Sequence, residues 1–128
     1  MPKTEVRAYL DIEGNIPLVA WLEALEKNEP KAYEKCLARI LELSEQGNQM
    51  RRPHADMLRD GIYELRATFH GNIHYRILYF FFGKNAVVLS HGTSKERRVE
   101  AIDIDTAIAR MQKVKSAPDR YTTDFDWE

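Results

Sequence analysis

The chain has 128 residues, of which 44% are hydrophobic and 30% are charged. This length suits one compact domain with a single core. No segment approaches the roughly 20 apolar residues of a membrane helix, and no basic stretch followed by an apolar run stands near the N-terminus. The one cysteine, Cys36, has no second cysteine for a disulfide or a zinc site. We therefore expect a soluble, cytoplasmic protein without membrane contact.

The net charge of −1 conceals an uneven distribution along the chain. Residues 1–50 and residues 99–128 each carry a net charge of −3, whereas residues 51–98 carry +5. All four histidines also lie in the middle segment. Such a concentration of cations and proton-transfer groups predicts a phosphate-binding surface. The simpler alternative is the solvated face of a sheet.

The first half of the chain changes from a strand pattern to a helix pattern. Polar and apolar residues alternate over residues 4–10, which predicts a strand that ends near Gly14. Pro17 and Pro30 suit the first turns of two helices, and apolar residues then recur at helical spacing. Gly47 is the expected end of the second helix. We expect a helical hairpin that covers a sheet.

The second half begins with hydrophobic residues at every other position. Residues 61–69, 73–82 and 86–91 are predicted strands joined by tight turns, and a helix is expected over residues 102–115. The order β-α-α-β-β-β-α predicts an α+β fold, an antiparallel sheet meander packed against helices on one side. Residues 1–115 would form this domain. Residues 116–128 would form an acidic, aromatic tail that we expect to be flexible.

Two arginines stand on adjacent predicted strands. Because side chains alternate across a strand, Arg66 lies on one face of its strand, and Arg76 shares a face with His74. Two arginines on adjacent strands can bind successive phosphates through forked hydrogen bonds. The alternative is that Arg66 pairs with Glu64 or Asp60.

The last predicted strand ends at His91 and leads into a charged loop with Lys95. Cutting RNA without a metal needs a base for the 2′-hydroxyl, an acid for the leaving 5′-oxygen, and cations for the phosphate. Arg66, Arg76, His91 and Lys95 together have the chemistry for all three. Taken alone, a histidine at a strand end is more often structural, and residues 95–98 are typical of an exposed loop. The sequence has no metal-ligand cluster and no phosphate-cradling glycine loop, so we expect neither metal nor cofactor.

Three segments carry a family resemblance: residues 58–66 (LRDGIYELR), residues 74–79 (HYRILY), and residues 88–92 (VLSHG) with Lys95. Together they resemble the phage-derived HigB-like branch of the RelE/ParE toxin superfamily, from the Trp21-Leu22 helix to about Met111. The resemblance implies a RelE-like fold and the toxin of a type II toxin–antitoxin system, a ribosome-dependent mRNA endonuclease. It also implies a cognate antitoxin, usually a helix-turn-helix, HigA-like protein. The assembled form would be a dimer or a toxin–antitoxin hetero-oligomer.

The resemblance also implies roles for individual residues. By motif position, Arg66 and Arg76 would bind the scissile and neighbouring phosphates, Lys95 would add charge or transfer a proton, and His91 would act as general acid or base. The RNA-binding residues that we expect beside this catalytic set are Arg51, Arg52, His74, Arg97 and Arg98.

The loop after His91 departs from the branch, which typically has a phenylalanine followed by paired lysines. This chain has Thr93, Ser94, Lys95 and Glu96 there, which predicts weaker activity or a rearranged catalytic set. Two other functions remain open. A ParE-like toxin shares the fold but inhibits DNA gyrase by binding, so it needs no acid or base. The third possibility is a degenerate, non-catalytic interaction module.

Overall fold

A computed structural model describes residues 4–68, 73–95 and 99–125 of the chain. Within these ranges it has a mixed α+β architecture of six strands and four helices. The elements in chain order are β1 (Glu5–Tyr9), α1 (Pro17–Asn28), α2 (Pro30–Gln46), β2 (Ala55–Arg59), β3 (Ile62–Thr68), β4 (His74–Phe82), β5 (Ala86–Lys95), α3 (Ala101–Ser116), α4 (Pro118–Tyr121) and β6 (Thr122–Asp124). None of the helices in the described ranges is long and apolar enough to cross a membrane.

The helical hairpin begins and ends where the sequence predicts. Pro17 and Pro30 are the first residues of α1 and α2, where the missing N–H of proline leaves no hydrogen bond unmade. Gly47 follows α2 with φ of 56°, a left-handed conformation that glycine adopts without strain. Both helices bury their apolar stripes against one face of the sheet.

The sheet has the strand order β2-β3-β4-β5-β1-β6. Strands β3 to β5 form the predicted antiparallel meander, and β2 extends it on the β3 side. However, β1 pairs with β5 in parallel, and β6 pairs with β1 antiparallel. The prediction of a purely antiparallel meander was therefore wrong at β1, and it lacked β2 and β6. A two-residue turn joins β2 to β3, and both of its residues, Asp60 and Gly61, have positive φ, 53° and 86°. This turn matches the right-handed twist of the paired strands.

Helices cover both faces of the sheet, which corrects the prediction that they lie on one side. The apolar stripes of α1 and α2 form one cluster with Leu65, Ile77 and Leu89. On the opposite face, α3 forms a second cluster with Leu78 and Phe80. A continuously apolar run such as residues 77–81 in β4 is expected when both faces of a strand are covered.

Gly92 of β5 lies directly against the side chain of Trp21 in α1. A Cβ atom at Gly92 would overlap the indole ring of Trp21, which α1 places against the strand. The glycine lets α1 pack directly on the backbone of β5.

The described part of the C-terminal segment forms part of the sheet. Residues 118–124 form α4 and β6, and the side chain of Thr122 is buried. Tyr121 stacks on Tyr9 of β1, with ring centroids 6.2 Å apart. Arg7 on β1 also contacts Asp124 at 2.6 Å. The predicted tail thus forms the strand at one edge of the sheet.

Candidate functional site

The sheet face that α3 covers becomes polar towards one end. Strand register places Arg66 of β3, Arg76 of β4 and Thr93 of β5 in one row. The next row contains Thr68, His74 and Lys95, although the side chain of Lys95 lies outside the described part of the structure. We call this surface the polar face, and its described members are Glu64, Arg66, Thr68, His74, Arg76 and Thr93.

A single carboxylate contacts both arginines of the polar face. Glu64 Oε2 accepts a hydrogen bond from Arg66 Nη2 at 2.8 Å, and Glu64 Oε1 forms an ion pair with Arg76 Nε at 2.8 Å. The side chains of Glu64 and Arg76 are only 5% and 7% exposed, whereas that of Arg66 is 27% exposed. The pairing of Arg66 with Glu64, which we set out as an alternative to phosphate binding, is therefore present.

The ion pairs with Glu64 leave the polar face positively charged. Two guanidinium groups share one carboxylate, so the cluster keeps a net positive charge. Burial lowers the pKa of Arg76, and the nearby Glu64 opposes that shift, but a guanidinium stays charged at any physiological pH. Arg66 Nε is buried and has no hydrogen-bond partner among the described residues. A buried donor of this kind is uncommon in proteins.

His74 lies beside the two arginines. Its Nδ1 is 3.0 Å from Thr68 Oγ1 on the neighbouring strand. Burial lowers the pKa of His74, and the charges of Arg76 and Arg66 lower it further. Burial and the two arginines thus favour the neutral imidazole, the form that can accept a proton.

His91 occupies a different environment on the same face, underneath α3. Its Nδ1 lies 2.8 Å from Ser90 Oγ, its Nε2 lies 3.4 Å from Asp103 Oδ1, and its side chain is 14% exposed. Arg110 of α3 donates a hydrogen bond to the Ser90 carbonyl at 3.1 Å. Burial lowers the pKa of His91, and Arg110 adds to this shift. Ser90 is fully buried, so this Ser-His-Asp set has no accessible nucleophile, and its geometry suits the attachment of α3 to β5.

A register shift in β5 brings Ser90 and His91 to the same side. Leu78 pairs with His91 and Tyr79 pairs with Leu89, which leaves Ser90 as an extra residue between them. A bulge of this kind breaks the strict alternation of side chains. The extra residue gives α3 two consecutive polar contacts.

The other predicted RNA-binding residues are not all brought together. Arg52 pairs with Asp56 at 2.8 Å, and register places Asp56 beside Glu64 at the margin of the polar face. Arg51 instead donates hydrogen bonds to backbone carbonyls of the loop that precedes it. Arg97 and Arg98 lie outside the described residues, as does Glu96.

The sequence analysis did not identify Lys35 and Arg39 of α2, two cations that contact β3. The β2–β3 ladder ends at the pairing of Ala55 with Leu65, so later carbonyls of β3 lie beyond the partner strand. Arg39 donates to the carbonyl of Arg66 at 3.1 Å, and Lys35 donates to that of Thr68 at 3.1 Å. Their spacing of four residues, which places both on one helix face, was the available signal. Both cations lie at the edge of β3, where Arg39 is also 3.7 Å from Glu42.

The described residues contain no group of three or more histidine, cysteine, aspartate or glutamate side chains that could bind a metal ion. No curated protein sequence matches the chain. Residues 20–112 match the family described as Phage derived protein Gp49-like (DUF891), which is related to RelE and the toxins of toxin–antitoxin pairs. The matched range includes every described member of the polar face. Since it covers well over half of the 128 residues, the chain belongs to the Gp49-like family of phage-derived proteins.

Proposed function

We propose that this protein is the toxin of a type II toxin–antitoxin system, with a RelE-like fold, and that it cuts mRNA on the ribosome. The relation of the Gp49-like family to such toxins supports the class. The observation that carries the RNA chemistry is the pair of arginines aligned by Glu64 on adjacent strands. A ParE-like binder would not need a neutral histidine beside that pair.

The proposed reaction is attack of the ribose 2′-hydroxyl on the adjacent phosphate. The 2′-oxygen forms a bond to phosphorus, the bond to the 5′-oxygen breaks, and the products are a 2′,3′-cyclic phosphate and a 5′-hydroxyl. Negative charge increases on the phosphate oxygens in the transition state, where guanidinium donors stabilise it. Arg66, the more exposed arginine, would contact the phosphate directly. Arg76, the buried arginine, would add positive charge beneath it.

Mapping new mRNA ends tests the proposal. Purified protein is incubated with translating ribosomes, and 5′ ends are mapped with and without Arg66→Ala. We expect ribosome-dependent cuts by the wild type and a large loss of cutting by the variant. Arg59→Ala is a matched control because Arg59 lies on β2 and pairs with Asp105 of α3, at the covered end of the sheet.

The outcomes separate the three functions. Cuts that require Arg66 but not Arg59 support the endonuclease. Growth arrest without cuts, accompanied by inhibition of DNA gyrase, would indicate a gyrase-type toxin. Neither cuts nor arrest would indicate a non-catalytic interaction module.

We also propose a cognate antitoxin, a helix-turn-helix protein that covers part of the polar face. An active nuclease of this kind must be inhibited in its own cell. A partner that neutralises Arg66 would block phosphate binding directly. The same pairing gives a toxin–antitoxin hetero-oligomer as the resting form.

A further inference from the structure

We propose that His74, held by Thr68, is the general base of the cleavage reaction. This inference rests on the endonuclease proposed above and names the proton acceptor of that site. It assigns to His74 a chemical step, whereas the sequence indicated only RNA binding for this residue.

The position of His74 is set by two neighbouring cross-strand pairs. Thr68 pairs with His74, and two residues away Arg66 pairs with Arg76. Residues two apart on a strand point to the same face and are about 7 Å apart. A phosphate bound at Arg66 thus places its neighbouring ribose within reach of the imidazole.

Nε2 is the nitrogen of the His74 ring that we propose accepts the proton. Nδ1 is taken by Thr68 Oγ1 at 3.0 Å, and no described side chain bonds Nε2. We assign the proton to Nδ1, donated to the threonine oxygen, which leaves the lone pair on Nε2. His91 has the opposite arrangement, because Ser90 and Asp103 occupy both of its nitrogens beneath α3.

The surrounding charges favour the neutral ring that a base requires. Arg66 comes from β3 and Arg76 from β4, and both lower the pKa of His74, while Glu64 opposes them. Lys95 is the register partner of His74 on β5. Arg66 and Arg76 would also stabilise the phosphate oxygens as their charge increases.

The step is balanced by proton transfer to and from solvent. Nε2 takes the 2′-hydroxyl proton as the 2′-oxygen attacks phosphorus. The bond from phosphorus to the 5′-oxygen breaks, and the leaving oxygen takes a proton from water. The resulting imidazolium then returns its proton to solvent.

The test is single-turnover cleavage of mRNA on programmed ribosomes by the full chain. His74→Asn retains an N–H near the position of Nδ1, so it can still contact Thr68, but it has no Nε2. We expect cleavage at least about 100-fold slower with unchanged ribosome binding. The wild-type rate should fall as the pH drops below the lowered pKa of His74, and this acidic limb should disappear in the variant. Added imidazole should restore cleavage by His74→Ala.

His54→Asn is the matched control. The carbonyl of His54 accepts a hydrogen bond from the Arg66 N–H at 2.8 Å, which the substitution leaves in place, and the side chain of His54 contacts Glu42 of α2 at 2.9 Å. This variant should therefore cleave like the wild type. A wild-type rate and pH profile for His74→Asn would overturn the assignment to His74 while leaving the endonuclease in place. Absence of cuts by the wild type would contradict the endonuclease, and the proposal for His74 would fall with it.

Discussion

Glu64 gives the two arginines of the polar face different physical roles. Arg76 is almost fully enclosed with the carboxylate, whereas 27% of the Arg66 side chain is exposed. Removing one partner of an enclosed ion pair leaves a buried charge that water no longer solvates. Arg76 therefore supports the site through its buried ion pair, and Arg66 is the arginine that we propose contacts the phosphate.

Arg76→Ala should lower the free energy of unfolding by about 2 kcal/mol, because Glu64 stays buried with only Arg66 to compensate it. Arg66→Ala should cost less, since its side chain is more exposed. Urea denaturation of both variants measures the difference. Equal losses of stability would contradict these separate roles. Glu64→Gln in the Arg76→Ala background should restore part of the lost stability.

Among the elements, α3 depends on a neutral histidine. The folded protein holds the pKa of His91 below its ordinary value of about 6.5, while the unfolded chain keeps that value. The unfolded state thus binds more protons once the pH falls below about 6.5, so the contribution is complete above that pH and decreases as the pH falls towards the folded pKa.

We predict that acidification from pH 7.5 to pH 5.5 destabilises the wild type more than His91→Gln. Asp103 and Arg110 of α3 are the charged groups that contact His91 and would respond to its protonation. Denaturant unfolding at the two pH values gives the comparison. His54→Gln is the control, because His54 lies outside this cluster. Parallel pH dependence of the wild type and His91→Gln would contradict the prediction.

A second element-scale prediction concerns α4 and β6. A chain that ends after Ser116 should lose at least about 2 kcal/mol of stability, because it loses the buried Thr122 and the stacking of Tyr121 on Tyr9. Thermal unfolding measures the loss. Asp124→Ala should have little effect, since its contact with Arg7 is exposed. A truncated chain as stable as the wild type would show that β6 contributes nothing.

The sequence predicted the elements with a strong local signal and missed those that depend on distant partners. Pro17, Pro30 and Gly47 mark both helices, whereas β6 has three residues and is a strand only because β1 lies beside it. For β2 a local signal existed. Asp60-Gly61 between alternating residues is typical of a two-residue hairpin.

For the candidate site, alternation placed Arg66, Arg76 and His74 on faces that the structure brings together. The difference between His74 and His91 was not predictable. It depends on where α3 crosses the sheet and on the bulge at Ser90, and neither leaves a mark on the hydrophobic pattern. The ion pairs of Glu64 with both Arg66 and Arg76 also depend on tertiary contacts.

For the molecule as a whole, we predict a stable complex with the antitoxin proposed above, which we expect the neighbouring reading frame to encode. Co-expression and size-exclusion chromatography should show one complex at micromolar concentration. Its formation should abolish mRNA cleavage. Separate elution of the two proteins would contradict the prediction.

The position of β1 within the sheet has a consequence for synthesis. Residues 5–9 pair with residues 86–89 and residues 122–124, so everything between residues 10 and 85 is translated before the first of these partners exists. Pairing over such separations is slow, because a long loop must close before any contact forms. Thr93 of β5, the last described member of the polar face, also follows that point in the chain. For the endonuclease proposed above, a nascent chain would complete its polar face only late in translation, which would protect the ribosome that makes it while synthesis continues.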